Sequence, residues 1–140
     1  MSDEFSVRIK VRGYEIDTQG HLNQAEYLHY AEHARWSLLD AAGITQDELI
    51  ATGYGPVVLE TNIKFRRELR GGDEVDVGCV FIWDGSRIFR IRQVFRRPNR
   101  RICAQLTTTG GLLDLAERTL VDDPAKHFRA LATDPSLLGL

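Results

Sequence analysis

The fold of this chain is decided by residues 23–43, which read NQAEYLHYAEHARWSLLDAAG. Apolar side chains recur there every three or four positions, which is the spacing of one helix face. They are Tyr27, Leu28, Ala31, Ala34, Leu38, Leu39 and Ala42. Asn23 is a favoured N-cap, Glu26 would complete a capping box, and Gly43 favours the left-handed conformation that ends a helix. We therefore predict a helix over residues 24–42, which is apolar enough to need a sheet around it.

Alternating apolar and polar residues, the pattern of half-buried strands, lie on both sides of this helix. The alternation covers residues 5–12, 57–65, 74–83, 89–96 and 102–113. Asp84-Gly85 and Pro98-Asn99 are typical turn sequences, and such short connections make neighbouring strands antiparallel. The pattern predicts an α+β fold in which a five-stranded antiparallel sheet wraps around one long central helix.

The length of 140 residues favours a single domain over residues 1–140, with its core at about residues 5–115. A short second helix is predicted over residues 45–51. Gly110-Gly111, within the last strand, indicates a bulge or a close approach of another chain segment. We expect the tail, residues 122–140, to be weakly structured, with at most one short helix over residues 124–132.

Composition and charge argue against several classes of protein. A net charge of -2 disfavours a general nucleic-acid binder. No apolar run is long enough for a transmembrane helix, so no membrane partner is expected, and the charged first residues do not resemble a signal peptide. Cys79 and Cys103 lack metal-ligand or redox-motif spacing. We therefore expect two buried, reduced cysteines and a cytoplasmic location.

The residues before the helix combine a carboxylate with a helix start, since positions 17–24 read DTQGHLNQ. The first N–H groups of a helix are free and can stabilise an oxyanion. If Asn23 caps the second or third helical N–H, the N–H of Gln24 stays available. A carboxylate beside such a donor suits acyl-transfer hydrolysis, with Asp17 attacking directly or activating water. Aspartate in such a loop is also a common turn-former, so the residues alone leave both interpretations open.

A longer run around this loop, VRGYEIDTQGHLNQAEYL at residues 11–28, resembles the signature of the 4-hydroxybenzoyl-CoA thioesterase-like hotdog family. The shared pattern is an aspartate, a glycine three residues later, then histidine, asparagine and an aromatic-leucine pair on the helix. Further matches are Ala34-Arg35-Trp36, Phe65-Arg66 and Gly72-Asp73-Glu74-Val75, so that the resemblance covers roughly residues 5–115. Gly13 and the polar Gln24-Ala25-Glu26 depart from the pattern and leave the acyl specificity open.

This resemblance implies a hotdog fold and an acyl-CoA thioesterase that releases small or medium acyl groups as free acids. Asp17 would be the nucleophile or general base, and the backbone N–H of Gln24 would be the oxyanion donor. Gly20 would allow a tight turn, while His21 and Asn23 would shape the loop. The resemblance also implies no metal, no cofactor apart from the coenzyme A of the substrate, and active sites at the interface of a homodimer. A homotetramer is also plausible.

Two groups of residues are candidates for substrate binding. Tyr27, Leu59 and Phe65 are expected to line the acyl pocket. Basic residues are concentrated, because 11 of the 18 lie within residues 64–101. They either form a solvated sheet face or bind the phosphates of coenzyme A. Our candidates for phosphate binding are Arg66, Arg67, Arg100 and Arg101.

Other titratable residues are weaker candidates. Glu26, Glu32 and Glu60 are alternative carboxylates, because some hotdog thioesterases use a helix glutamate. His21 could shuttle a proton or hydrogen-bond the loop. The remaining histidines lack metal-ligand partners, so surface or interface roles are expected for His29, His33 and His127.

Two other activities stay open at this point. One is a thioesterase that releases acyl or polyketide chains from an acyl carrier protein. The other is a non-catalytic hotdog module that binds acyl-CoA. A dehydratase is disfavoured, since the Asp–His arrangement typical of hotdog hydratases is not evident.

Overall fold

A computed structural model describes residues 4–140 of the chain. Its elements in chain order are β1 (Ser6–Lys10), α1 (Gln24–Ala41), α2 (Gln46–Ala51), β2 (Tyr54–Phe65), β3 (Glu74–Gly78), β4 (Val80–Trp83), β5 (Ile88–Arg96), β6 (Ile102–Asp114), β7 (Thr119–Leu120) and α3 (Pro124–Leu131). Two short 3-10 helices are found at Gly13–Glu15 and Pro135–Leu138.

The strands form one antiparallel sheet in the order β1-β3-β5-β6-β2, with β4 paired to β5 and β7 paired to β6. This sheet curls around α1, so the predicted hotdog fold is confirmed. The strand predicted at residues 74–83 is interrupted at Cys79. Its register against β5 is nevertheless the same on both sides of the break, with Val77 opposite Phe95 and Val80 opposite Arg92. β3 and β4 are therefore one strand with a local irregularity.

The central helix α1 buries its apolar face against the sheet, at Tyr27, Tyr30, Ala31, Ala34, Leu38 and Leu39. Asn23 caps it as predicted, since its side chain accepts a hydrogen bond from the Ala25 N–H at 2.9 Å. The predicted capping box is wrong. The N–H of Asn23 donates instead to the Glu15 carbonyl at 2.9 Å, and the Glu26 carboxylate lies 2.9 Å from Nδ1 of His29.

The short helix predicted over residues 124–132 is present as α3, but the expectation that residues 122–140 are weakly structured was wrong. Phe128 of α3 is buried against the aromatic rings of Phe81, Trp83 and Phe89. The indole N–H of Trp83 donates to the carbonyl of Leu138 at 2.6 Å. The core consequently extends beyond residue 115, because the tail covers apolar surface that the sheet and α1 leave open.

A β-bulge interrupts the predicted alternation of β2. The register against β6 shifts between Val58, which is opposite Gly110, and Glu60, which is opposite Thr109. Leu59 is the extra residue, and the bulge exchanges the two faces of the strand. On β6, Gly110 allows the close approach predicted there, because a Cβ at this position would lie 3.0 Å from the carbonyl oxygen of Val57. The bulge itself therefore lies on β2, the strand paired with β6, and Gly110 of β6 allows that strand to approach closely.

Among the helices within residues 4–140, none has the length and apolarity that crossing a bilayer requires.

Candidate active site

A cleft of about 550 Å³ lies where the loop before α1, the first turns of α1 and the end of β2 meet. Its lining residues are Asp17, His21, Leu22, Asn23, Gln24, Tyr27, Phe65, Arg66, Arg67 and Glu68. Eight of the twelve residues predicted to form the site are among them. The fold thus brings together segments that are about 40 residues apart in the chain.

Asp17 both forms a turn and faces the cleft. Its Oδ1 accepts hydrogen bonds from the N–H groups of Gln19 at 2.8 Å and His21 at 3.1 Å. Gly20 completes the turn at a positive φ of 80°, which glycine adopts without strain. These backbone hydrogen bonds, with that from His21 first, lower the pKa of Asp17 below its ordinary value. The side chain is exposed and therefore ionised near neutral pH.

The second oxygen of Asp17, Oδ2, accepts no hydrogen bond from any residue between 4 and 140. Asp17 can therefore act as a turn-former and, at the same time, as a base or nucleophile. Oδ1 holds the loop in shape, and Oδ2 is available to a substrate or a water molecule.

The start of α1 supplies a backbone donor. The Ala25 N–H is taken by the side chain of Asn23, and the Glu26 N–H donates to the Asn23 carbonyl at 2.9 Å. The Gln24 N–H finds no acceptor within residues 4–140. It also lies at the positive end of the helix dipole, so this N–H can bind a carbonyl oxygen and stabilise negative charge on it.

Glu15 anchors the loop, a role that no sequence pattern predicted. Its carboxylate is buried and accepts hydrogen bonds from the Tyr30 hydroxyl at 2.6 Å and the Arg12 N–H at 2.9 Å. Burial alone would raise the pKa of Glu15, but these hydrogen bonds and the Arg12 charge outweigh it and lower the pKa. Because the Glu15 carbonyl also accepts the Asn23 N–H, the loop is fixed at the helix start.

The His21 side chain contacts Glu68, and within residues 4–140 it forms no hydrogen bond with the Asp17 carboxylate. Its Nε2 lies 2.7 Å from Oε2 of Glu68, which also pairs with Arg70 at 3.0 Å. The Leu22 N–H donates to the Leu69 carbonyl at 2.6 Å and ties the loop to the same segment. This geometry favours the loop-holding role of His21 over a proton shuttle. Glu68 was missed because it lies in a connection that carries no periodic pattern.

Two aromatic rings form the apolar wall of the cleft. Phe65 at the end of β2 meets Tyr27 edge to face, with ring centroids 5.1 Å apart. Tyr27 also packs against Phe95 at 5.4 Å. Burial raises the pKa of Tyr27 to about 12, so its hydroxyl stays protonated at neutral pH.

A second cleft of about 520 Å³ adjoins the first and shares Arg66, Arg67 and Glu68 with it. Arg97, Asn99 and Arg101 complete its lining. Arg100 does not line it, because the tight turn there holds this residue at a positive φ of 72° on the exposed tip. Arg97 was not among the predicted residues, since the turn sequence alone did not show which of the neighbouring arginines would line the cleft.

The sequence matches the thioesterase-like superfamily over residues 11–135, which is most of the chain. The chain belongs to the thioesterase-like superfamily. Acyl-acyl carrier protein thioesterase ATL3, chloroplastic, of Arabidopsis thaliana is 35% identical over 101 residues, covering 71% of this chain and 53% of the relative. Long-chain acyl-CoA thioesterase FadM of Escherichia coli (strain K12) is 42% identical over 60 residues, covering 43% of this chain and 45% of the relative. The chain thus spans about half the length of these curated relatives.

Solved structures of similar proteins agree with this family. The crystal structure of YbaW, a probable thioesterase from Escherichia coli, superposes with a TM-score of 0.77 at 27% identity. The match covers 84% of this chain and 88% of that one.

In this member of the thioesterase-like superfamily, the other predicted carboxylates lie outside the Asp17 cleft. Glu26 pairs with His29, Glu32 lines a separate cavity, and Glu60 is exposed on β2. Leu59, predicted to contact substrate, is outside both clefts because it is the bulged residue. Of the carboxylates lining the cleft, Glu68 is engaged with His21 and Arg70, and Asp17 keeps a free oxygen.

The remaining histidines and cysteines also lie outside the cleft. The ring of His127 meets that of Tyr54 edge to face, with centroids 4.5 Å apart. Cys79 and Cys103 are buried and unpaired, as predicted. Within the described part of the chain, no three His, Cys, Asp or Glu side chains cluster in a way that could hold a metal ion.

Proposed function

We propose that this chain is an acyl-CoA thioesterase that hydrolyses a small or medium acyl-CoA thioester to the free acid and CoA. One observation carries the proposal: an exposed, ionised Asp17 carboxylate and the unpartnered Gln24 N–H line the same cleft. Thioester hydrolysis requires a base or nucleophile on one side of the carbonyl and an oxyanion donor on the other. The relatives that are named thioesterases support the same activity.

In the general-base form of the reaction, Oδ2 of Asp17 removes a proton from water as the water oxygen bonds to the thioester carbon. The carbonyl oxygen becomes an oxyanion that accepts the Gln24 N–H. Collapse of the intermediate breaks the C–S bond, and the CoA sulfur takes up the proton. In the nucleophilic form, Asp17 itself bonds to the carbon and expels the thiolate, and water then cleaves the resulting anhydride.

The adjoining arginine-lined cleft would hold the coenzyme A. Its phosphates carry several negative charges, which guanidinium groups bind in a bidentate manner. Arg66 and Arg67 line both clefts, so they join the proposed phosphate site to the proposed reaction site. We expect no metal and no other cofactor to take part.

A carrier-protein thioesterase is the second candidate, and the name of the Arabidopsis thaliana relative favours it. The two activities differ in what carries the same acyl group. Side-by-side kcat/KM values for one acyl group on CoA and on acyl carrier protein separate them. Binding of acyl-CoA without turnover would instead support a non-catalytic module.

We further propose that the chain forms a homodimer, or a tetramer built from dimers, with active sites at the subunit interface. β2 is a twelve-residue edge strand, and it exposes the apolar residues Val58, Leu59 and Phe65. Exposed edges of this kind tend to be paired. Because Phe65 also lines the cleft, a partner on β2 would reach the site. A monomeric mass by light scattering at micromolar concentration would contradict this. A cytoplasmic location remains a prediction.

The decisive experiment is a panel of acyl-CoA substrates tested with the wild-type protein and Asp17→Asn. Asparagine retains an oxygen that can accept the two loop N–H groups but cannot act as a base. We expect kcat to fall at least 100-fold. Asp84→Asn is the matched control, because Asp84 is also an exposed aspartate whose pKa is lowered by hydrogen bonds within its own turn, at Ser86. Unchanged turnover in Asp17→Asn would refute the role of Asp17, and no turnover of any thioester would refute the function.

A further inference from the structure

A separate cavity of about 150 Å³ lies between the C-terminal half of α1 and the sheet. Most of its wall is apolar and includes Trp36, Leu39, Val58, Phe81, Phe89 and Phe128. Cavities of this size with such walls can take up a group about as large as benzene. Gly110 also lines the cavity, and a Cβ at this position would lie 3.4 Å from the Phe89 ring on the cavity wall.

Within the described residues, one polar group at this cavity lacks any hydrogen-bond partner, and a second, which is charged, lacks a carboxylate partner. Thr108 is 1% exposed, and its hydroxyl has no hydrogen-bond partner within residues 4–140. Arg35 is half-buried, and none of the carboxylates in the described chain forms an ion pair with it. Leaving such groups unpaired costs stability, so they usually have a role.

Gln93 holds Arg35 in position at the cavity. Its side-chain N–H₂ donates to the Ala31 carbonyl at 2.8 Å, and its oxygen accepts from Nη1 of Arg35 at 3.2 Å. Gln93 is fully buried, so this amide is fixed at both ends. The other N–H groups of the guanidinium, which carries five, remain available.

The cavity is connected to the proposed reaction site by one stripe of α1. Gln24, Leu28, Glu32, Arg35 and Leu39 follow one another at intervals of four or three residues, so they share a helix face. On the opposing strand, Phe65 lies at the cleft and Val58 at the cavity. Leu28 on this stripe and Val58 on β2 are each about half exposed, so apolar surface lies between the two sites. At 1.5 Å per residue, the stripe from Gln24 to Arg35 is about 16 Å long.

From this arrangement we propose that the cavity receives the far end of the acyl chain, and that Thr108 and Arg35 recognise a neutral oxygen substituent there, such as a hydroxyl. The proposal rests on the thioesterase function proposed above and specifies its substrate class. Extended chains advance about 3.5 Å for every three bonds, so 16 Å corresponds to a chain of roughly ten to fourteen carbons.

A neutral substituent fits better than a carboxylate because Glu32 lines the same cavity. A second carboxylate would be repelled by Glu32, whereas a hydroxyl can donate to one oxygen and accept from the guanidinium. Thr108 offers both a donor and an acceptor to the same group. An unsubstituted chain would leave the Thr108 hydroxyl without a partner.

The test compares kcat/KM for dodecanoyl-CoA, ω-hydroxydodecanoyl-CoA and the ω-carboxy analogue. With the wild-type protein we expect the hydroxylated chain to be preferred over the plain chain by about 3- to 10-fold, the net effect of one added hydrogen bond. Thr108→Val should reduce this ratio towards one, and Thr108→Ser should restore it. Thr107→Val is the matched control, because Thr107 is the neighbouring threonine on the other, exposed face of β6 and should leave the ratio unchanged.

A binding measurement keeps this proposal separate from the proposed activity. Calorimetry with thioether analogues of the same three acyl-CoAs reports binding even without hydrolysis. Hydroxyl preference in binding but no turnover would refute the thioesterase function and support the cavity proposal. Turnover without hydroxyl preference would overturn the cavity proposal alone. A preference for the ω-carboxy chain, or equal shifts of the ratio in Thr107→Val and Thr108→Val, would also overturn it.

Discussion

The hydroxyl of Tyr30 donates a 2.6 Å hydrogen bond to Oε1 of Glu15, and both residues are buried. This bond joins the middle of α1 to the loop that carries Asp17. The Glu15 carbonyl in turn accepts the Asn23 N–H at the helix start. The carboxylate and the oxyanion donor of the proposed site are therefore positioned by a buried pair that lines neither cleft beside them.

Removal of this hydrogen bond should destabilise the protein in a pH-dependent manner. Tyr30→Phe withdraws a donor from a buried carboxylate, so we expect the free energy of unfolding to fall by about 1–3 kcal/mol near neutral pH. Because the pKa of Glu15 is lowered in the folded protein, its ionised form contributes stability above its ordinary pKa of 4.5, and this contribution is lost as the pH falls through the folded value. The difference between wild type and variant should shrink on acidification.

Urea denaturation at neutral and acidic pH measures this difference. Tyr14→Phe is the control, since Tyr14 is 85% exposed and loses the same hydroxyl. Equal losses in the two variants, or a difference that grows on acidification, would contradict the role of the Tyr30–Glu15 pair.

The oxyanion role of the Gln24 N–H can be tested by proline substitution. Gln24 is the first helical residue, where proline is well tolerated, and Asn23 already has the extended backbone that precedes proline (φ -62°, ψ 139°). Gln24→Pro should therefore fold while lacking the N–H. We expect kcat to fall about 100- to 1000-fold, the usual effect of losing one oxyanion donor. Gln24→Ala removes the side chain and keeps the N–H, so a similar loss in both variants would argue against the backbone role.

The arginine-lined cleft should affect KM more than kcat. Arg67 lines both clefts, and Arg67→Gln should raise the KM for acyl-CoA about 10-fold through loss of a charge-assisted hydrogen bond to phosphate. The effect should disappear with an acyl-pantetheine substrate, which lacks the nucleotide phosphates. Arg92→Gln is the control, because Arg92 is exposed on β5 away from both clefts. Equal KM values for wild type and Arg67→Gln would refute the phosphate site.

The tail should contribute to the stability of the whole domain. Phe128→Ala removes a ring that is 1% exposed and packs on Phe81, Trp83 and Phe89. We expect a loss of about 3–5 kcal/mol in thermal or chemical denaturation. Leu137 is 40% exposed, so Leu137→Ala should lower the free energy of unfolding far less. Retention of wild-type stability by Phe128→Ala would show that the tail packs only loosely.

Much of the fold followed from local patterns. The helix face from Tyr27 to Leu39 and the five alternating segments predicted the hotdog arrangement, since burial of one face dictates both periods. Elements whose position depends on partners distant in the chain were predicted less well. The bulge at Leu59 changes the face of β2 but leaves no mark on the pattern of apolar residues. The tail looked weakly structured because its predicted helix acquires an apolar surface to cover only once β4 and β5 are paired.

The residues of the site can be divided in the same way, into those that local sequence predicted and those that it did not. The sequence by itself determined the loop chemistry: an aspartate, a glycine that permits the turn, and an asparagine that caps one helical N–H and leaves that of Gln24 free. These interactions are local, because the partners are only a few residues apart. The tertiary structure alone decided which distant residues join them. Strand register and helix packing place Glu15 against the loop and Glu68 next to His21. They also bring Arg97 instead of Arg100 to the second cleft, and Thr108 to the cavity that Arg35 lines.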